Sequence, residues 1–191
     1  MRLPVILMPV AVLIWQSAVA QDLPRLPYFS WSACPFECCT YRAWRAEQPI
    51  NTFIKRDSKS AIAYKVKTRE WVRAVDGVVI TRRYGVSKVI KPVDVGYSKD
   101  GKGPLLHLEP GELVYSLHYE GEGQYLFWYK GKSYIDGVAS RTPDSEPLDP
   151  ELSFQTLSTP QYEWWVKIKN RQGQIGWTNT PESFSNSDRC G

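Results

Sequence analysis

Apolar and polar positions alternate with a period of two along most of this chain, and no long stretch follows a helical period. Trp71–Val75 and Val78–Thr81 read as strands around an Asp76-Gly77 turn, followed by a Tyr84-Gly85 turn and a short strand to Ile90. Tyr125–Tyr129 and Ser133–Asp136 flank Lys130-Gly131-Lys132 as a second hairpin. The run 164–177, WWVKIKNRQGQIGW, reads as a third. There Val166 and Ile168 share one face and Trp165 takes the other, Asn170 to Gly173 form the turn, and Ile175 and Trp177 alternate on the return. Ser140–Pro160, rich in Pro, Ser, Asp, Glu and Thr, reads as a long loop. Helical character is confined to a turn near Cys34–Trp44 and another after Pro181. The expected fold class is therefore all-β.

The chain also repeats itself. Residues 60–72 align with 102–114, so that Glu70 meets Glu112 and Val72 meets Val114 at a constant offset of 42 (112 − 70). Upstream, Phe53–Lys59 and Val95–Gly101 are each a short strand followed by an Asp- and Lys-containing turn.

The 164–177 hairpin resembles the distal hairpin of bacterial SH3-like domains, and the "apolar-x-apolar, x-x-G/R-E-x-V" pattern of the repeat resembles the start of such domains. The resemblance implies two tandem small SH3-like barrels with a Cys-rich N-terminal segment. The first unit would cover 50–90. The second would cover 91–178, with an insertion at 120–161 in a region where ligands of that family often bind. Residues 21–49 would form a Pro-, Cys- and aromatic-rich cover, and 179–191 a C-terminal tail.

Residues 1–20 read as a signal peptide: Arg2, an apolar run from Leu3 to Trp15, and an Ala18-Val19-Ala20 cleavage site. No other segment is apolar enough to span a membrane, so the mature chain is expected to be periplasmic or secreted. In that setting Cys34, Cys38, Cys39 and Cys190 are expected to form disulfides. A bond between adjacent Cys38 and Cys39 would close a strained ring, which leaves Cys190 paired with Cys38 or Cys39 and Cys34 with the other. The tail would thus be tied to the start of the mature chain. The formal net charge of +4 is too small to argue for nucleic acid.

Candidate chemistry is sparse. His107 and His118 are the two histidines, each with an acid two residues on, Glu109 and Glu120. Their spacing fits no metal motif, and both read as solvent-facing strand residues. The cysteines lack C-x-x-C or zinc-ribbon spacing, no G-x-S-x-G occurs, and the Gly101-Lys102-Gly103 and Gly121-Glu122-Gly123 stretches are turns rather than phosphate loops. No catalytic residue, metal or cofactor is assigned. The remaining signal is aromatic: SH3-like barrels bind peptides or glycopeptides in ring-lined grooves, which makes Trp164, Trp128, Tyr125 and Tyr162 the ligand-binding candidates and Trp177 a core residue. Arg82-Arg83 and Lys130-Gly131-Lys132 are secondary candidates for an anionic ligand. The expected function is a non-enzymatic exported binding module that contacts peptidoglycan or an envelope protein. The alternatives are an inhibitor or structural partner protein, and an accessory envelope hydrolase using His107 or His118.

Overall fold

The computed structural model describes residues 23–98, 106–137 and 153–188. The segment expected to be a signal peptide, Cys190 and the stretch 101–103 expected to be a turn lie outside them. The first strands are β1 (Tyr28–Trp31), β2 (Ala43–Ala46), β3 (Ile50–Phe53), β4 (Ile62–Val66), β5 (Trp71–Arg83), β6 (Gly85–Val89), β7 (Val93–Val95) and β8 (Tyr97–Ser98). There follow β9 (Leu106–Leu108), β10 (Leu113–Gly121), β11 (Gln124–Tyr129), β12 (Lys132–Asp136), β13 (Phe154–Ser158), β14 (Gln161–Lys169), β15 (Ile175–Thr178), a 3-10 turn at Pro181–Ser183 and β16 (Phe184–Ser185). Among the described residues the protein is all-β, with a curled half-barrel sheet.

The first sheet runs β16-β2-β5-β14-β15-β3-β4, with β1 also on β5; the second runs β13-β6-β10-β11-β12-β8, and β7 pairs β9 separately. Five strands of each sheet follow one plan. In β16-β2-β5-β14-β15 and in β13-β6-β10-β11-β12 the last strand in sequence lies beside the first. In both, an antiparallel pair (β3–β4, β7–β9) lies in chain order between the first two of these strands; β3 joins the first sheet through β15, whereas β7–β9 stands apart and β8 pairs β12. Even residues match: Phe184 stands opposite Ala46, and Phe154 opposite Val89.

The turns of the sequence repeat are also alike. Arg69 (φ 65) and Gly111 (φ 96) both sit in the left-handed region. The Arg69 N–H donates to the Ala46 carbonyl and the Gly111 N–H to that of Val89, at 2.7 and 2.9 Å. One residue on, each glutamate accepts from the backbone N–H three residues before it: Glu70 from Lys67 at 2.8 Å and Glu112 from Glu109 at 2.9 Å.

The two sets are nested rather than consecutive. Strands β6 to β13 fall between β5 and β14, so the second set lies inside the first. A division at 90/91 assigns β14 and β15 to the second unit; their pairing with β5 and β3 assigns them to the first. Segment 120–161, expected as an insertion, supplies β11, β12 and β13 to the second sheet and so belongs to its framework. The expected 140–160 loop contains β13; the rest of it up to residue 152 lies outside the described residues.

The Asp76-Gly77 hairpin is also corrected: β5 runs unbroken for 13 residues. Lys167 pairs with Asp76 and Ile168 with Ala74, which leaves Val75 bulged. Gly77 is needed for close approach instead of a turn, because a Cβ there would collide with the Tyr41 hydroxyl and lie 2.6 Å from the Trp164 indole nitrogen.

Three apolar clusters hold this together. Trp44, Val72, Val79, Trp164, Val166 and Ile168 pack on one face of the first sheet, and Val78, Ile80 and Trp165 on the other, with Phe53 and Trp177 against them. The middle of β5, residues 77–81, and of β14, residues 164–166, is thus covered on both faces, which explains the continuous apolar runs there. Val89, Leu108, Val114 and Phe127 form the core of the second set. Burying a side chain such as Phe127 contributes about 1.5–3 kcal/mol.

Candidate binding surfaces

The aromatic residues picked from the sequence do not form one groove. Trp164 is 9% exposed and lies in the first core, edge-on to Phe36 and Trp44 at 5.5 and 6.0 Å between ring centroids. The expectation that it lines an exposed groove fails because β14 is central and covered on both sides. Trp128 is half-buried and meets Tyr28 edge to face at 6.1 Å. Tyr125 packs on Tyr119 at 5.3 Å, and Tyr162 on His118 at 6.0 Å. Burial raises the Tyr162 hydroxyl above its ordinary range against the lowering effect of a Tyr119 backbone bond, and the nearby Tyr125 and Tyr119 hydroxyls raise it further. Tyr125 and Tyr162 therefore share one tyrosine cluster.

His118 is not solvent-facing; it is fully buried. Its Nε2 lies 2.7 Å from Ser30 Oγ and 3.6 Å from Glu120 Oε1, and its Nδ1 lies 3.0 Å from the Tyr119 carbonyl. Serine and acid thus approach the same ring nitrogen, whereas a hydrolytic relay needs them on opposite nitrogens. Ser30 is itself only 2% exposed. With the bond from Thr81 Oγ1 to the Leu117 carbonyl (2.9 Å), this contact joins the two sheets. His107 does sit on the surface, with Nδ1 2.7 Å from Asp94 and Nε2 3.3 Å from Glu109. The Asp94 hydrogen bond, outweighing a small loss of hydration, raises its pKa above the usual value with help from Glu109.

An exposed ring cluster lies elsewhere. Phe29 and Trp31, two apart on β1, share a face and stack at 6.0 Å with 15° between planes. The Arg56 guanidinium sits 4.6 Å from the Trp31 centroid, 5.2 Å from that of Trp177 and 5.9 Å from that of Phe29. Phe29 is 40% and Trp31 53% exposed. Trp177, expected in the core, is half-buried and packs against the Val78–Ile80–Trp165 cluster. Phe29, Ile54, Arg56, Ile80, Arg82 and Trp177 line a groove of about 490 Å³. At its edge Arg82 is ion-paired with Glu163 at 2.5 Å. The sequence signal for this site was the aromatic spacing at 29 and 31; Arg56, in the β3–β4 loop, carried none.

Cys34 and Cys39 are disulfide-bonded to each other, one of the two pairings open from the sequence. Cys38 is disulfide-bonded as well, and Cys190 lies outside the described residues. Among the described residues no helix is long and apolar enough to cross a membrane, and no three His, Cys, Asp or Glu side chains gather as a metal site. No protein-family model, curated protein or solved structure matches the chain.

Proposed function

We propose that this chain is a non-enzymatic exported binding module of two SH3-like units, one nested in the other, which holds an envelope ligand in the groove lined by Phe29, Arg56 and Trp177 and on the exposed Trp31 ring beside it. The shared strand order of the two sets and the β14–β15 hairpin support the SH3-like reading. The disulfide supports export to an oxidising compartment. The observation that carries the binding role is the exposed ring cluster around Arg56. Water-exposed indole and phenyl faces beside a guanidinium suit a ligand with apolar faces and a carboxylate, such as a peptidoglycan stem peptide and its sugar. Against a hydrolase stands the burial of Ser30 and His118.

The test is co-sedimentation of the mature protein with purified peptidoglycan sacculi at low and high salt. Pelleting is expected to survive high salt and to fall about tenfold or more in Trp31→Ala and Arg56→Ala, the loss of a buried anchor contact. Failure to pellet at either salt refutes the cell-wall ligand.

A further inference from the structure

A second surface, beside the Glu70 turn and the 170–173 turn of the first set, is built of positive charge. Two adjoining depressions of about 660 and 560 Å³ share Trp71, Asn170 and Arg171. Arg42, Arg73, Lys169 and Arg171 line the first. Lys65, Lys67 and Arg69 line the second, with Glu70 as the one acid in either lining. That carboxylate already accepts from the Lys67 N–H at 2.8 Å. Among the described residues Arg73, Lys169 and Arg171 have no ion-pair partner. The cleft thus concentrates seven cations in a chain whose formal net charge is only +4.

The fold does not require this charge. The second set has the same turn, 42 residues on, and there the positions of Lys65, Lys67, Arg69 and Trp71 are His107, Glu109, Gly111 and Leu113. The turn forms with the same hydrogen bonds in both places. The cleft is also held in shape. Asn170 is 8% exposed and bonds Gln174 twice, its Nδ2 donating to Oε1 at 2.7 Å and its Oδ1 accepting from the N–H at 2.9 Å. This fixes the turn that presents Lys169 and Arg171. Burial holds the Tyr41 hydroxyl far above its ordinary range, so that it stays a neutral donor, to the Ala33 carbonyl.

We infer that this cleft binds an anionic polysaccharide, with charged groups on Arg73, Lys169 and Arg171 and a sugar ring on the exposed face of Trp71. Trp71 is 40% exposed at the junction of the two depressions. The π face of an indole is electron-rich and attracts the C–H face of a sugar. Guanidinium groups match carboxylate, sulfate and phosphate oxygens in pairs. Single-stranded nucleic acid is disfavoured because it is held by several stacking rings in series, and this cleft offers one indole.

The probe is size-defined heparin, titrated into the mature protein by calorimetry at several salt concentrations, beside uncharged dextran, poly-glutamate and oligo(dT) of matched charge. Heparin is expected to bind and dextran not to bind. Arg73→Ala with Arg171→Ala is expected to weaken heparin about tenfold or more and to flatten the salt dependence. Trp71→Ala is expected to weaken it several-fold with the salt dependence unchanged, which charge attraction alone would not produce. All three side chains are exposed, and thermal melts check that the variants fold. Trp31→Ala is expected to leave heparin affinity intact, so this result stands or falls apart from that of the groove. Heparin binding indifferent to Arg73 and Arg171, or equal affinity for poly-glutamate or oligo(dT), overturns the inference.

Discussion

The two strand sets share one plan and spend it differently. In the first, the Glu70 turn is held by backbone bonds and by the Glu70 carboxylate on the Lys67 N–H, and its surroundings are given over to positive charge. In the second, the matching Glu112 also accepts from the Tyr129 hydroxyl at 2.5 Å and the Lys130 ammonium at 2.9 Å. Burial alone would raise the Glu112 carboxyl, but Tyr129, the Glu109 N–H and Lys130 outweigh it and lower it to about 2. One turn is closed by side chains and the other left open. The turn therefore needs only its backbone bonds and one glutamate carboxylate on an N–H, which leaves the other side chains around it available for another task.

The comparison is tested hardest through the cores. Trp44 and Phe127 are both fully buried, one in each set, and replacement by Ala is expected to cost about 3–5 kcal/mol in either. The consequences should differ. Phe127→Ala removes the folded set that holds β5 and β14 together, so protection of both sheets should fall. Trp44→Ala should lower protection in the first sheet and spare β10 to β12. Residue-resolved hydrogen exchange reads this, and equal loss everywhere in both variants would show that the sets act as one unit.

A smaller effect separates the glutamates. Glu112→Gln is expected to cost about 1–2 kcal/mol near neutral pH, and Glu70→Gln less than about 1. Because the folded Glu112 pKa lies below its ordinary 4.5, its contribution is full above that value and is lost as pH falls towards about 2. Acid titration of urea midpoints should show this slope in the parent and in Glu70→Gln, but not in Glu112→Gln. An unchanged slope in Glu112→Gln would remove the carboxylate from the account.

The finest test exchanges the turn residues. Gly111→Ala is expected to cost about 1 kcal/mol, a backbone term alone, since no atom lies within 4 Å of the added Cβ. Arg69→Gly relieves the same left-handed strain and is expected to gain up to about 0.5–1 kcal/mol, less the greater freedom of glycine when unfolded. Thermal melts decide it; a loss on Arg69→Gly would mean that the arginine stabilises its own turn.

Local features of this molecule were legible in the sequence because they are fixed by nearby residues. The 170–173 turn, the Lys130-Gly131 hairpin, the Pro181 turn and the 42-residue repeat all rest on short-range chemistry. Pairings between distant strands were not, because Trp71–Arg83 pairs as readily in pattern with its own continuation as with Gln161–Lys169. Asp76-Gly77 misled for the same reason: a glycine demanded by the packing of Tyr41 and Trp164 looks like one demanded by a turn. Alternation also gave no warning that both faces of β14 are covered, which is why Trp164 read as exposed. His118 read as a surface residue because its partner Ser30 lies 88 residues away. Arg56 and the basic cleft come together only once β3, β4 and the 170–173 turn are assembled.

Nesting also sets an order of events during synthesis. Strand β5 is complete at Arg83, but its central partner begins only at Gln161. At roughly 5–20 residues per second, that partner follows after about 4–16 s. Meanwhile one edge of a 13-residue, largely apolar strand offers its hydrogen bonds to any passing chain. The other edge does not wait, because β1 and β2 precede β5 and occupy it along Val78–Thr81 and Trp71–Arg73. The N-terminal strands are therefore a nascent-chain guard for half of the molecule's most adhesive strand. The later set guards the rest by completing itself and delivering β14, through the Val86–Ser158 pairing, to the foot of β5.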